Sequence, residues 1–420
     1  MKNKLFYLVI MVIIISIILN IIDINYFKLL LSITWYIVSV LLIYSGIKYS
    51  IRYKFISLNI KKIIKAILSK SKNNISPLSS LSLSLAAKIG VGSLSGVALA
   101  IYYGGLGTIF WIWIISLVVA INTYLEVKLG VIYHGGPSKY IKRCLCNNRL
   151  SKLYSILIII SYSILFLSIQ SNTIIKTVSY FHINKEIVLV ILCIVTSLSI
   201  SKGVKRISKI NGFLVPIMLI LYLILGIYIV FNHIDDMGVL FRSILISAFN
   251  YKSIISVFLI GMQRAIFITE SGIGTSAISA SVTENTSDNQ AMLEVFGIYI
   301  VSFLVCSVTF LIISLSNYES NIFSNINGIE IVLYAFKYHF GSWGSIFLSI
   351  ITILFAFSTI TSSYFFGENN LGNNKYLKIV TIIVIIISAY IRPNILWNYT
   401  DLFVAMLTLI NIYTILKINK

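Results

Sequence analysis

The sequence predicts an all-α integral membrane protein, and three observations predict it. Of 420 residues, 58% are apolar and only 11% charged, whereas soluble domains run near about 45–50% apolar with roughly a quarter charged. The mean hydropathy is +0.95, and the apolar residues gather into runs near the roughly 20 residues that cross a bilayer. Only four prolines occur, so most runs read as unbroken helices. So little polar surface cannot solvate a globule of this length, which excludes a soluble enzyme.

The runs occupy roughly 5–22, 27–49, 75–103, 105–132, 151–172, 187–200, 213–232, 243–280, 291–316, 342–366, 374–392 and 398–417. The first follows Lys2 and Lys4 in the manner of a signal peptide, but no small-x-small cleavage site follows it, so it reads as a retained span. The run 187–200 is short for a span. Residues 137–147 mix Tyr140, Ile141 and Leu145 with Lys139, Lys142 and Arg143, a pattern that suits a helix lying at a membrane surface.

Loop charge gives the orientation. Basic residues crowd 51–74 (among them Lys61, Lys62, Lys70 and Lys72), 133–152 and 201–212, whereas the alternate loops carry few. The crowded loops are expected in the cytoplasm, which puts both termini there, Lys417 and Lys420 included. The loop around 284–294 has no Lys or Arg, so the rule holds only in aggregate. The net charge of +20 lies between apolar runs and forms no basic domain. It signals topology and attraction to anionic lipid, not a nucleic-acid partner. The four cysteines (Cys144, Cys146, Cys193, Cys306) have no metal-site spacing and read as ordinary thiols.

Two runs are broken by glycine in the same style. One reads Ala86-Ala87-Lys88-Ile89-Gly90-Val91-Gly92-Ser93-Leu94-Ser95-Gly96, the other Phe267-Ile268-Thr269-Glu270-Ser271-Gly272-Ile273-Gly274-Thr275-Ser276. Each opens a block of five runs, over 75–232 and 243–417. Ahead of them, residues 1–74 hold extra N-terminal spans and a basic linker. Five is odd, so the blocks have opposite topology. Matching breaks in two inverted halves point to a ligand site near mid-membrane. An opened turn leaves N–H and C=O groups unpaired, which the bilayer tolerates only where a ligand or cavity water replaces the lost bonds. Close helix packing through Gly92-x3-Gly96 is the competing reading.

At these residues the chain resembles the sodium:alanine symporter family, also called the alanine or glycine:cation symporters. Gly90 to Ala98 is similar to the family's GTGNIAGVA, and Gly104 to Trp113 to its GGPGAIFWMW. Glu126 sits at the Glu of its FAE motif. Gly135 to Ile141 resembles GGPMYYI, Gln170-Ser171-Asn172 resembles QAN, and Gly203 to Ile207 resembles GIKRI. Arg264 to Thr275 tracks RGVFSNEAGLGS, and Phe355-Ala356-Phe357-Ser358-Thr359 is identical to FAFST. Asp401 and Asn411 match the last helix. The resemblance runs from about residue 27 to the end and leaves the first span as an addition. It implies the leucine-transporter fold, a 5+5 inverted repeat with one or two extra N-terminal helices, and sodium-coupled movement of a small neutral amino acid, alanine or glycine.

The chain also departs from the family pattern. Val91 and Ser93 replace the Thr and Asn of GTGN, Lys88 stands at a position of small residues, Ile268 and Thr269 replace Ser-Asn, Val301 replaces an Asp, and Ser362-Ser363 replaces Gly-Trp. Several of these positions line the family's substrate and sodium sites.

An amino-acid zwitterion needs donors for its carboxylate and acceptors for its ammonium. The amides of Gly90, Val91, Gly92 and Ser93 are candidate donors, and the backbone from Ser271 through Gly272 to Gly274 offers candidate acceptors. Thr269 lies beside them. Gln170 offers both kinds of group, or else a helix–helix contact. Phe267 either closes a side-chain pocket or belongs to the core. Sodium is a hard cation that takes oxygen ligands; Ser358, Thr359 and the carbonyls of Ala86 and Ile89 are the candidates, against the alternative of hydroxyls bonded back to their own helix. Lys88 admits three readings: it snorkels to anionic lipid, pairs with Glu270 or Glu126, or acts as a tethered cation in place of a sodium ion. Glu270 also has Arg264 as a possible partner.

Three functions follow from these residues. The first is sodium-coupled symport of a small neutral amino acid across the cytoplasmic membrane, with sodium as coupling ion and no cofactor. The second is a transporter-like sensor or accessory protein with lost or altered, for example proton-coupled, transport. The third is an intramembrane enzyme, which the sequence disfavours: it has no His-Glu-x-x-His and no Gly-x-Ser-x-Gly, and His134, His182, His233 and His339 lie scattered at run ends.

Overall fold

The computed structural model describes residues 4–69, 76–283, 285–316, 328–372 and 374–419. Lys2, Lys70, Lys72, Glu284 and Lys420, which entered the charge reading, lie outside them. Among the described residues there is no strand. Each of the twelve apolar runs is built around at least one helix. Among the described residues, seven helices are long and apolar enough to cross a membrane: Ile24–Arg52 (α2), Thr108–Ile132 (α6), Asn148–Ser179, Val204–Asn232 (α11), Ser287–Ser314, Gly328–Leu371 (α17) and Pro393–Ile418 (α19). Pro77–Lys88 (α4) and Gly92–Gly104, bent by 52° at the break between them, are together long and apolar enough for an eighth crossing. The chain is therefore a multi-pass membrane protein.

Local chemistry sets the helix ends. α4 starts where the Ser76 hydroxyl accepts from the Ser79 amide, with Pro77 in the first turn, where its missing N–H is harmless. Ser287–Tyr299 (α15) starts at Thr286, whose side chain accepts from the Asn289 amide. The segment expected at the membrane surface forms a helix, Pro137–Cys144 (α7), with Tyr140 and Ile141 buried. α17 contains one non-helical residue, Gly341 (φ 61°), where a positive-φ backbone bends the chain between a short helix and the long span.

Large apolar side chains of α2, Lys185–Ile200 (α10), α11 and Lys375–Ser388 (α18) are exposed, as expected of a lipid-facing surface. α6, by contrast, is buried along most of its length and packs against α2, α15 and the two halves of the second broken run, Ile254–Thr269 (α13) and Thr275–Ala280 (α14). It thus ties the helix that closes the N-terminal segment to the elements around the second break.

Candidate functional site

The first break follows from the end of α4. Its last helical residue is Lys88, and Ile89 leaves the helix with ψ 68°, so carbonyls of the last turn have no helical donor. One of them, Ala86 O, accepts the Thr359 hydroxyl at 2.8 Å. The Gln170 side-chain oxygen accepts from the Val91 amide at 3.1 Å. Gly90 is held between these partners: a Cβ there would stand 2.4 Å from the Thr359 hydroxyl and 3.2 Å from the Gln170 amide. Gly92 faces Phe267, whose ring would lie 3.0 Å from an added Cβ. Gly96 has nothing within 4 Å of such a Cβ, so it makes no close helix contact, and the packing reading of Gly92-x3-Gly96 fails at its second glycine. Past the break the helix widens over Gly92–Gly96, a π-type irregularity of the kind common at functional sites. The Ser93 carbonyl accepts from Thr309 at 2.9 Å, and the Ser93 hydroxyl donates to Gly90 O at 2.9 Å.

An aromatic floor lies beside this break, and Trp397 at its edge lines a cavity of about 460 Å³ that Ser95 also reaches. Phe166 stacks on Phe267 (centroids 4.9 Å) and Phe267 leans on Trp397 (5.2 Å). The cavity opens at the end of the bundle where α2, α17 and α19 begin, and Arg264, Asp401 and Trp397 line it. Arg264 stands 3.9 Å from Asp401 and lies over both rings, 5.4 Å from the Trp397 centroid and 5.9 Å from that of Phe267.

The second break spans Glu270 to Gly274. Glu270 (φ 53°), Gly272 (φ 80°) and Gly274 (φ 110°) all adopt left-handed backbone, which glycine accepts freely and glutamate does not. The protein itself takes up much of the freed backbone. Asn411 donates to Gly272 O at 2.9 Å and to Glu126 at 2.7 Å, and accepts from the Tyr140 hydroxyl. The Tyr154 hydroxyl donates to Ile273 O at 2.6 Å. Ser271 donates to Val119 O at 2.7 Å and accepts from Thr123 at 2.9 Å. The Thr269 hydroxyl is bonded back to Ala265 O at 2.7 Å. Glu270 accepts from Thr275 at 2.7 Å.

The chain matches the sodium:alanine symporter family model over residues 6–420. It belongs to that family. The probable sodium/glutamine symporter GlnT of Bacillus subtilis is 31% identical over 409 residues, covering 91% of this chain and 85% of that protein. The sodium/alanine symporter AgcS of Methanococcus maripaludis is 26% identical over 395 residues, covering 86% of this chain and 87% of that one. A putative sodium/proton-dependent alanine carrier of Bacillus subtilis, YrbD, is 26% identical over 415 residues, covering 89% and 86%. Membership places the chain among amino-acid:cation symporters. It also corrects one boundary: the match begins at residue 6, so the first span, Lys4–Ile22 (α1), falls inside the family region and is no addition to it.

Within this symporter, the structure gathers Ala86, Gly90, Val91, Gly92, Gln170, Phe267 and Thr359 at one place. It does not bring Gly272 and Gly274 there. An added Cβ on Gly272 would meet Ile412 and Leu42, and one on Gly274 would meet Pro137 and Tyr154, so both glycines serve packing around the second break. Ser358 donates to Phe355 O of its own helix at 2.8 Å, the alternative the sequence left open. Ile89 sits at the end of α4 beside Gly90, its side chain buried.

Lys88 corrects the sequence reading most. It does not snorkel: its side chain is 0% exposed. Nor does it bond to Glu126 or Glu270. Its partner is Glu294, at 3.2 Å and equally buried. The sequence reading put Glu294 where the loop around 284–294 meets the run 291–316; α15 begins earlier, at Ser287, so Glu294 lies about two turns inside a helix. Arg264 faces Asp401 instead of Glu270. Glu294, Tyr154, Tyr140 and Thr309 were missed as partners, because nothing in the sequence tells which helix faces face each other. An intramembrane Glu that needs a cation was the one usable signal.

Proposed function

We propose that this protein couples the inward flow of sodium to the uptake of a small neutral amino acid, alanine or glycine, across the cytoplasmic membrane, with both termini in the cytoplasm. The observation that carries the reading is the convergence on the first break of a carbonyl–hydroxyl pair, Ala86 with Thr359, and a polar side chain, Gln170 on the Val91 amide. Oxygen ligands of the first kind suit sodium. Amides at the start of the second half-helix suit a carboxylate, and the Phe267 ring beside Gly92 leaves room only for a small side chain.

In this reading the fold is the leucine-transporter type, with 75–232 and 243–417 as inverted repeats behind the N-terminal spans. Ser358 and the Ile89 carbonyl join Ala86 and Thr359 around the ion, and Ser93, Thr269 and Ser271 support the substrate site. The floor of Phe166, Phe267 and Trp397 lies beside the site, at the edge of the outer cavity. The names of the relatives favour an amino acid and sodium, and the glutamine named for GlnT makes that substrate the competitor to exclude.

The test is uptake of labelled alanine into reconstituted vesicles under an imposed sodium gradient, with glycine and glutamine as competitors and a proton gradient as control. Sodium-driven alanine uptake inhibited by glycine is the expected result. Uptake driven only by protons, or no uptake under either gradient, overturns it in favour of the second reading, altered or lost transport. The buried lysine beside the first break favours that second reading.

A further inference from the structure

Lys88 ends α4 and turns back along it. Its ammonium donates to the Ser84 hydroxyl at 2.7 Å, the Ser276 hydroxyl at 2.9 Å and the Glu294 carboxylate at 3.2 Å. All three N–H groups thus meet oxygen, and the oxygens come from three separate elements, α4, α14 and α15. The pair has no exposure to solvent. The second oxygen of Glu294 is buried without a partner, as is one oxygen each of Glu126 and Glu270. Two hydroxyls and a carboxylate in a dry setting form the donor set that a hard monovalent cation seeks.

We infer that Ser84, Ser276 and Glu294 form a monovalent-cation site that this chain fills with its own ammonium group. The site is distinct from the Ala86–Thr359 pair: Thr359 bonds α4 from α17, whereas Lys88 bonds α14 and α15. It joins the half-helix before the first break to the half-helix after the second. A fixed cation holds that junction whatever the sodium concentration, where an ion from solution would let it loosen as sodium falls. Removing the amine leaves a buried carboxylate uncompensated, a strongly destabilised state, unless a small cation enters. The inference stands on these contacts alone and holds whether or not the proposed transport is found.

The experiment is thermal unfolding of the purified full-length protein in detergent, in choline, sodium or methylammonium chloride at equal ionic strength. Lys88→Ala is expected to melt below the wild type in choline. About 100 mM sodium or methylammonium is expected to raise its melting temperature by roughly 5 °C more than the same salt raises that of the wild type. This difference cancels any response of the Ala86–Thr359 region, which both proteins share. The double variant Lys88→Ala with Glu294→Gln removes both charges; it should remain folded in every salt and show no extra response. If Lys88→Ala aggregates in choline, recovery of a monodisperse protein in sodium or methylammonium supports the site. Equal melting in all salts, aggregation in all salts, or the same extra response in the double variant overturns it.

Discussion

Three glycines of one broken run are set to respond differently to the same small change. Gly90→Ala puts a Cβ 2.4 Å from the Thr359 hydroxyl, about 1 Å inside ordinary contact, so Thr359 must turn away and lose its bond to Ala86 O. Overpacking of this kind costs about 1–3 kcal/mol, and a lost internal hydrogen bond about 0.5–1.5 kcal/mol. Together that is roughly 1.5–4.5 kcal/mol, or several degrees of melting temperature for a chain of this size. Gly92→Ala meets only the Phe267 ring, at 3.0 Å, which has to move by a few tenths of an ångström; about 1 kcal/mol is expected. Gly96 is helical (φ −66°, ψ −41°) with open space around it, so Gly96→Ala is expected to gain up to about 1 kcal/mol from backbone entropy. The assay is thermal unfolding of the three variants beside sodium-dependent uptake. The expected order of stability is Gly96→Ala, wild type, Gly92→Ala, Gly90→Ala, with the sodium response lost first in Gly90→Ala. A Gly90→Ala protein that melts and responds to sodium like Gly96→Ala refutes the reasoning, because the crowding at Gly90 would then not exist.

Phe267→Ala removes the central ring of the aromatic floor; it should raise the KM for uptake at least tenfold and lower stability by about 3–5 kcal/mol, and an unchanged KM would show that the ring is core and not a barrier. Asn411→Ala strips donors from Glu126 and from the Gly272 carbonyl, both buried, and is expected to destabilise by about 2–5 kcal/mol, read by thermal unfolding. Asn411→Asp should be no better, since it sets a second carboxylate against Glu126; wild-type melting in either variant counts against the network. Cys146 is exposed in the basic segment that loop charge assigns to the cytoplasm, so a membrane-impermeant maleimide should label it in inside-out vesicles and not in right-side-out ones, and the reverse pattern would invert the orientation.

Much of the architecture was legible because bilayer chemistry is one-dimensional. A span needs a length of apolar residues, and a break needs glycine, so Gly90, Gly92, Gly272 and Gly274 mark the breaks without knowledge of their neighbours. Partners were not legible, because they depend on rotation about each helix axis. Lys88 and Glu294 are separated by 206 residues in sequence, and the apolar runs around them have almost no amphipathic asymmetry to fix which faces meet. Glu126 and Glu270 were as plausible on composition alone. The kink at Gly341 was equally hidden, since the apolar run 342–366 starts just after it and nothing in the sequence joins that run to the helix before it.

The two breaks look alike in sequence and differ in what completes them. At the second, side chains fixed on other helices supply bonds that the opened turn lacks: Asn411 and Tyr154 hold the Gly272 and Ile273 carbonyls, while the Ser271 hydroxyl is held by the Val119 carbonyl and by Thr123. Groups satisfied this way gain little from a ligand, because binding would exchange one hydrogen bond for another. Two of the partners at the first break are exchangeable. Thr359 has a second acceptor, Phe355 O, 3.0 Å away on its own helix, so its hydroxyl can release Ala86 O to an ion without being left unpaired. Gln170 holds one amide with one oxygen and can yield it to a carboxylate. A ligand therefore has most to gain at the first break, and the second serves as the rigid wall against which that gain is realised. This asymmetry also explains why Lys88 matters: it links the adaptable half-helix α4 to α14, just past the rigid break, and does so with a charge that cannot diffuse away.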